Sequence, residues 1–267
     1  MKRVSIIIAN YNYGQYLAES IRSALGQTWP HTEVIVIDDG STDNSLEIAR
    51  RFDITVLAQK NLGVSSARNN AVQAAKGDYV LFLDADDILY PEAVEKLHAG
   101  LSAADDSAAY AYGQMDYFGY KQGLFASSPF DTKKLARTNF ICVTCLMRKD
   151  VFLKVGGFDR TMKSREDWEM FVRLLHHGFR GVFVNRPIMR CRKHRPPARR
   201  SAEQKRQKTQ VAALLFWRYP RFFAPLFFKK PIRHLLALVF SPAVRKPGLF
   251  GPLGNPKIIR VAGHAAE

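Results

Sequence analysis

The segment Tyr79-Val80-Leu81-Phe82-Leu83-Asp84-Ala85-Asp86-Asp87 restricts the folds open to this chain more than any other. An unbroken apolar run with β-branched and aromatic members predicts a buried strand. Such a strand cannot keep charge inside, so its carboxylates must emerge at the C-terminal end. A second run, Glu33-Val34-Ile35-Val36-Ile37-Asp38-Asp39, finishes the same way. Helical patterns alternate with these strands, which argues a parallel sheet with right-handed crossovers. The acids of the two runs should then share one rim, and ligands of open parallel sheets bind at that rim. Asp84 and Asp86, one residue apart, offer hard oxygen donors to a divalent cation that also grips a diphosphate. A solvated acidic turn is the plainer alternative.

The chain has 267 residues, enough for one large α/β domain or one domain with an appendage. Strands are expected at 4–9, 33–38, 55–57, from 79, and at 108–118, 140–148 and 179–184. Helices are expected through Leu17, Ile21, Ala24 and Leu25, through Leu46 and Ile48, within 61–77, and over 91–101, 149–155 and 165–177. Ser41 or Asp43 is placed to cap the second helix, and Asp87 the helix that follows it.

The formal charge of +16 is concentrated at one end. Residues 1–185 hold 21 Lys and Arg against 22 Asp and Glu, whereas residues 186–267 hold 19 against 2. This describes a neutral domain with a basic tail. Cys142, Cys145 and Cys191 are too few for a disulfide framework and fit a reducing compartment. Cys142-Val143-Thr144-Cys145 has the spacing of half a zinc site, but nothing completes it, so it reads as small residues on a strand. The N-terminal apolar run is shorter than the roughly 7–15 residues of a signal peptide. No run approaches the ~20 apolar residues of a spanning helix. The chain is therefore expected on the cytoplasmic side.

From about Arg190 the character changes. Residues 190–200 read as a cationic loop, and apolar clusters at 211–217, 222–228 and 235–240 are cut by Pro220, Pro225, Pro231 and by cations. Trp217, Phe222, Phe223, Phe227 and Phe228 alternate with Arg and Lys, which suits docking on an anionic membrane surface. A solvated extension is the alternative, and no feature of the remaining sequence supports nucleic-acid binding.

Five blocks carry a resemblance. Val4-Ser5-Ile6-Ile7-Ile8-Ala9-Asn10-Tyr11-Asn12 opens the chain. Gln27-Thr28-Trp29 and the run Glu33 to Asp43 follow, then Asn61-Leu62-Gly63-Val64-Ser65-Ser66-Ala67-Arg68-Asn69. Leu83-Asp84-Ala85-Asp86-Asp87 stands as an Asp-X-Asp block, and Gly156-Gly157-Phe158-Asp159 precedes Arg165-Glu166-Asp167-Trp168. In this order they resemble the family 2 inverting glycosyltransferases of GT-A fold, over roughly residues 3–195. The basic, aromatic extension is outside the family pattern.

The resemblance implies a GT-A (Rossmann-like), mostly parallel α/β sheet over 1–195; residues 196–267 are then a C-terminal extension, which its composition places at the membrane interface. It implies transfer of a sugar from a nucleotide donor, UDP-linked, to a saccharide hydroxyl, the acceptor being carried on a polyprenyl or other lipid. The pathway would be cell-surface polysaccharide or lipopolysaccharide synthesis at the inner face of the plasma membrane. Ala9, Tyr11, Asp39, Arg68, Asp84 and Ala85 would bind the nucleotide sugar, with Asp39 accepting from the uracil ring. Asp86, with Asp84 directly or through water, would bind Mn²⁺ or Mg²⁺, and His194 would reach the metal or phosphate. Arg192 or Arg195 would neutralise phosphate, and Asp167 would be the general base. Two alternatives remain: a sugar-phosphate nucleotidyltransferase, which needs a Gly-rich Arg-Lys loop where Asn10-Tyr11-Asn12-Tyr13 stands, and a non-catalytic sugar-nucleotide or membrane scaffold.

Overall fold

The computed structural model describes residues 2–125, 127–162, 164–195, 211–227 and 259–261. The cationic run beyond Arg195, Phe228 and the apolar cluster 235–240 lie outside them, as do the side chains of residues 224–227.

The N-terminal half is the expected alternation. It runs β1 (Val4–Asn10), α1 (Gly14–Leu25), β2 (Thr32–Asp38), α2 (Ser45–Arg50), β3 (Thr55–Ala58), α3 (Val64–Ala74) and β4 (Tyr79–Asp84). These strands lie parallel in the order β3-β2-β1-β4. Asn10 pairs with Asp38 and Ala9 with Asp84, so the strand ends are level and their acids share one rim. Both sheet faces are covered. Ile7 of β1 packs in one core with α3, and Ile6 and Ile8 pack in the other with α1, the period of two that a strand imposes. Leu17, Ile21 and Ala24 are buried along α1, but Leu25 lies off that stripe and is exposed. Neither Ser41 nor Asp43 is the cap of α2, whose N-cap residue is Asn44 with no side-chain capping bond; Asp43 accepts from Ser45 N at 3.1 Å, and Ser41 Oγ donates to Asp38.

Beyond β4 the sheet turns mixed. The elements are β5 (Ile88–Leu89), α4 (Ala93–Ser102), β6 (Ala108–Gly119), β7 (Gly123–Phe125), α5 (Thr132–Leu135), β8 (Leu146–Arg148), α6 (Lys149–Lys154), α7 (Glu166–His176) and β9 (Arg180–Lys193). The order continues β4-β8-β6-β9-β5, with β7 on β6. Two expectations change here. The last strand does not stop at 184: two register shifts against β6 near Gln114 absorb the irregularity around Pro187, and pairing resumes from Met115↔Met189 to Gly119↔Lys193. The first residues of the expected cationic loop are therefore strand, with Arg190 and Arg192 stacked over the Phe118 ring. Conversely, 140–145 is an irregular connection held by Cys145 N–H to Val143 O and Thr144 N–H to Cys142 Sγ, so the cysteines precede β8 and are free.

Helix α8 (residues 211–218) and α9 (Pro220–Phe227) follow, and β10 (Ile259–Val261) pairs antiparallel with β3. Val211, Leu215, Tyr219 and Phe223 are buried in the same core as Trp168 and Phe171 of α7. Phe223 is thus unavailable to a lipid surface, contrary to its sequence reading, because protein covers it; Trp217 is exposed. Among the described residues, no helix is long and apolar enough to cross a membrane.

Truncating the fully buried Leu215 tests this packing. Leu215→Ala should lower the free energy of unfolding by about 2–5 kcal/mol in urea titrations; an unchanged midpoint would show that α8 does not share the core.

Candidate active site

The rim is built where parallel pairing runs out. Asp39 N–H donates to Asn10 O at 2.8 Å, extending the β1–β2 ladder by one step. Asp38 closes the turn below it, accepting from Asn10 Nδ2 at 2.9 Å and Ser41 N at 2.8 Å. Asp39 faces the loop after β3: Oδ1 accepts from Gln59 Nε2 at 2.6 Å and Leu62 N at 2.8 Å, and Oδ2 from Gly63 N at 2.8 Å. Gly63, at φ +88°, makes that last contact from a backbone conformation a side chain would strain.

Asp39 lines a cleft of about 290 Å³ with Ala9, Asn10, Tyr11, Asn61, Gly63, Val64 and Ala67. A neighbouring cleft of about 380 Å³ is lined by Ala9, Tyr11, Tyr13, Asp84, Ala85 and Asp86. Ala9 and Tyr11 belong to both, so a single groove runs from Asp39 to Asp86. A larger cleft of about 520 Å³ lies among Lys2, Asp78, Tyr79 and Arg148, at the opposite ends of β1 and β4. Its charges are paired, Lys2 with Asp78 at 2.9 Å and Arg148 with Asp150 at 3.2 Å, and it is remote from the acidic rim.

Arg68 joins the groove to α7. Its guanidinium is buried, donating from Nη2 to Asp84 Oδ1 at 2.6 Å and from Nη1 to Glu166 Oε1 at 2.8 Å, 5.3 Å from the Phe158 ring centroid. Burial favours the neutral form, but Asp84 and Glu166 outweigh it and hold its pKa above the ordinary value. Arg68 thus reaches the groove through Asp84 and does not line it.

At the other end, β6–β9 pairing carries the chain past Arg192, whose N–H donates to Asp87 Oδ1 at 2.8 Å and whose Nε donates to Asp86 O at 3.0 Å. Arg192 also pairs with Glu19. His194 then sets Nε2 2.6 Å from Asp86 Oδ2, its ring 5.3 Å from that of Tyr16. Asp87 is buried and does not cap the next helix, whose N-cap residue is Glu92. Burial, with Asp84 and Asp86 nearby, pushes its pKa up to about 8.

Glu166 and Asp167 diverge from the first turn of α7, as expected of successive helical residues. Asp167 Oδ2 accepts from Asn139 Nδ2 at 2.7 Å and Oδ1 from Trp168 N at 2.8 Å. Burial first, and the Glu166 charge second, raise its pKa to about 7. Asp167 lines neither half of the groove; Arg68 and Glu166 connect it to Asp84. Glu169 is buried on the far side of the helix against Arg173 and Tyr219. No local signal marks Asn139, whose place beside Asp167 depends on tertiary packing across 28 positions.

The metal-ligand candidates converge only in part, since Asp84 is held by Arg68. Among the described residues no group of three or more His, Cys, Asp or Glu could hold a metal ion. One carboxylate and one imidazole, Asp86 and His194, fit Mg²⁺ or Mn²⁺ bound largely through substrate oxygens and water.

A family model described as Glycosyl transferase family 2 matches residues 5–156. The putative glycosyltransferase EpsE of Bacillus subtilis is 30% identical over 202 residues, covering 71% of this chain and 73% of its own. The uncharacterized glycosyltransferase YibD of Escherichia coli is 44% identical over 100 residues, 36% of this chain and only 29% of that relative's length. Among solved structures, Staphylococcus aureus TarS 1–349 in complex with UDP-GlcNAc superposes at TM-score 0.68 with 20% identity, covering 90% of this chain and 77% of that one. Mannosyltransferase PcManGT from Pyrobaculum calidifontis in complex with GDP-Man and Mn²⁺ superposes at 0.63 with 18% identity, covering 89% and 73%. At such identities the likeness is one of fold: a curled central α/β sheet flanked by helices, similar to GT-A glycosyltransferases.

The raised Asp167 pKa has a consequence for stability. Its folded value, about 7, exceeds that of an unfolded aspartate, so folding favours the protonated form and stability falls as pH rises between the two. Asp167→Asn should therefore stabilise the fold at pH 8, by on the order of 1–3 kcal/mol, with the gain vanishing toward pH 4. Thermal melts of both proteins across that range check it, and a gain independent of pH would refute the assignment.

Proposed function

Because this chain belongs to glycosyl transferase family 2, we propose that it moves one sugar, with inversion, from a UDP-linked donor to a hydroxyl of a saccharide acceptor. The observation that carries the reading is the single groove from Asp39 to the Asp86–His194 pair, with Arg68 leading from its Asp84 wall to Asp167.

In this reading the base lies in the Asp39 half. Asp39 Oδ2 accepts one protein hydrogen bond, from Gly63, and a carboxylate oxygen has a second lone pair for a ring N–H. Ala9 and Tyr11 flank the nucleotide, and Asp84 and Ala85 face its ribose and diphosphate. Asp86 and His194 would hold Mg²⁺ or Mn²⁺, which when bound would offset the charge that develops on the departing diphosphate. Asp167 takes the acceptor hydroxyl's proton as that oxygen attacks opposite the diphosphate. A pKa of about 7 suits a base that must be free near neutral pH yet retain affinity for a proton. Asn139 holds the carboxylate's orientation.

The acceptor is proposed to be lipid-linked, polyprenyl or otherwise, in cell-surface polysaccharide or lipopolysaccharide synthesis at the inner face of the membrane. The basic C-terminal stretch supports this, with Trp217 and Arg221 exposed on its helices.

Incubation with a panel of nucleotide sugars and Mn²⁺ should release UDP from one of the UDP-linked donors. Asp86→Ala should abolish that release. Asp167→Asn should bind UDP as the wild type does and transfer about 10²–10⁴-fold more slowly; transfer at the wild-type rate would remove Asp167 from its role. Sedimentation with vesicles should require anionic lipid and weaken as salt rises; binding to neutral vesicles at high salt would refute electrostatic docking.

A further inference from the structure

Residues 218 and 219, placed by their composition in an extension outside the catalytic domain, reach the segment that carries Asp167. Glu169 lies two positions beyond Asp167 on α7 and is fully buried. Its Oε2 accepts from Arg173 Nη2 at 2.8 Å and its Oε1 from the Tyr219 hydroxyl at 2.7 Å, with Arg218 Nη1 at 3.6 Å. That Arg218 nitrogen donates to Asp159 Oδ2 at 2.5 Å. Asp159 also accepts from Thr161 N at 2.8 Å and Thr161 Oγ1 at 2.7 Å, which closes the turn leading toward α7. Arg173 donates to Val155 O at 2.6 Å and Gly157 O at 2.5 Å.

The network continues to Arg68, behind the Asp84 wall of the groove. Phe158, beside Asp159, exchanges two hydrogen bonds with the Asn69 amide, at 2.7 and 2.8 Å, and its ring lies against Arg68. The junction of α8 and α9 therefore grips the segment around Asp167 twice: at Asp159 before α7, and at Glu169 within it.

A helix start needs such anchors when its own cap is weak. The N-cap position of α7 is Arg165, in the left-handed region at φ 57°, with no side-chain capping bond. Without a cap, the first turn takes its orientation from the groups it packs against. Charge-paired groups in a dry interior define that orientation more narrowly than apolar contact, since misalignment leaves a buried charge unmatched.

We propose that Arg218 and Tyr219 are positioning residues for Asp167, holding the first turn of α7 through Glu169 and the 156–161 loop through Asp159. This rests on the reading of Asp167 as the base. It makes residues 211–223 part of the transfer machinery, whatever the rest of the extension does.

The test uses the full chain with Tyr219→Phe, which keeps the packed ring and removes one donor to Glu169, and Arg218→Lys, which keeps the charge and removes the fork. Hydrogen exchange should quicken about tenfold or more in the amides of 158–170, with 4–10 and 79–84 unchanged. With the UDP-sugar that the wild type turns over best, kcat for transfer should fall about 10–100-fold while UDP affinity measured with Mn²⁺ stays within about twofold. The acid limb of the pH profile should also move, because the surroundings of Asp167 change. Unchanged exchange in 158–170, or equal acceleration throughout the chain, would overturn the proposal; so would an unaltered kcat and pH profile in a folded variant. If the wild type releases no nucleotide from any donor, the transferase reading fails, and the exchange comparison still decides whether these residues brace α7.

Discussion

A buried guanidinium holds the two halves of this site together. Arg68 is 3% exposed and contacts carboxylates from opposite directions, Asp84 at the end of β4 and Glu166 at the start of α7. Burying such a charge is unfavourable unless its partners are well placed, and here each partner comes from a different part of the fold. The β4 end and the α7 start can therefore be in place together only if α3, which carries Arg68, is packed beneath both. The Phe158 ring and the Asn69 amide complete that seat.

Around this cation the rim carries more acid than it can keep ionised unaided. Asp84, Asp86, Asp87, Glu166 and Asp167 crowd one region, and burial plus mutual repulsion raises Asp87 to about 8 and Asp167 to about 7. Perturbation of this kind is typical of functional sites. In the same molecule, exposed carboxylates with hydrogen-bond donors shift the other way, as Asp105 does beside Ser107 and Arg180.

Much of the groove was legible because local signals agreed. The apolar runs of β1, β2 and β4, the acids after them and the Gly-punctuated turns are short-range features, and parallel pairing levels their ends. His194 was placed at the site by resemblance; its contact with Asp86 spans 108 positions and rests on a strand longer than its sequence suggested. That extension was hidden because the cations from Arg190 onward read as loop, whereas β6 supplies backbone partners and Phe118 a surface for the Arg side chains. The C-terminal helices show a deeper ambiguity. An amphipathic segment with Leu215, Tyr219 and Phe223 on one stripe has the same signature whether the stripe meets lipid or protein. Only the partner, the Trp168 and Phe171 side of α7, decides.

The two-handed grip of the α8–α9 junction also bears on how chimeras between relatives must be cut. A chimera that exchanges the segment after β4 would naturally be cut to carry the block through α7 and β9. Yet Glu169 and Asp159 would then meet Arg218 and Tyr219 from the other parent. A workable crossover would carry residues 211–223 along with the block, so the smallest exchangeable module of this enzyme is discontinuous in sequence.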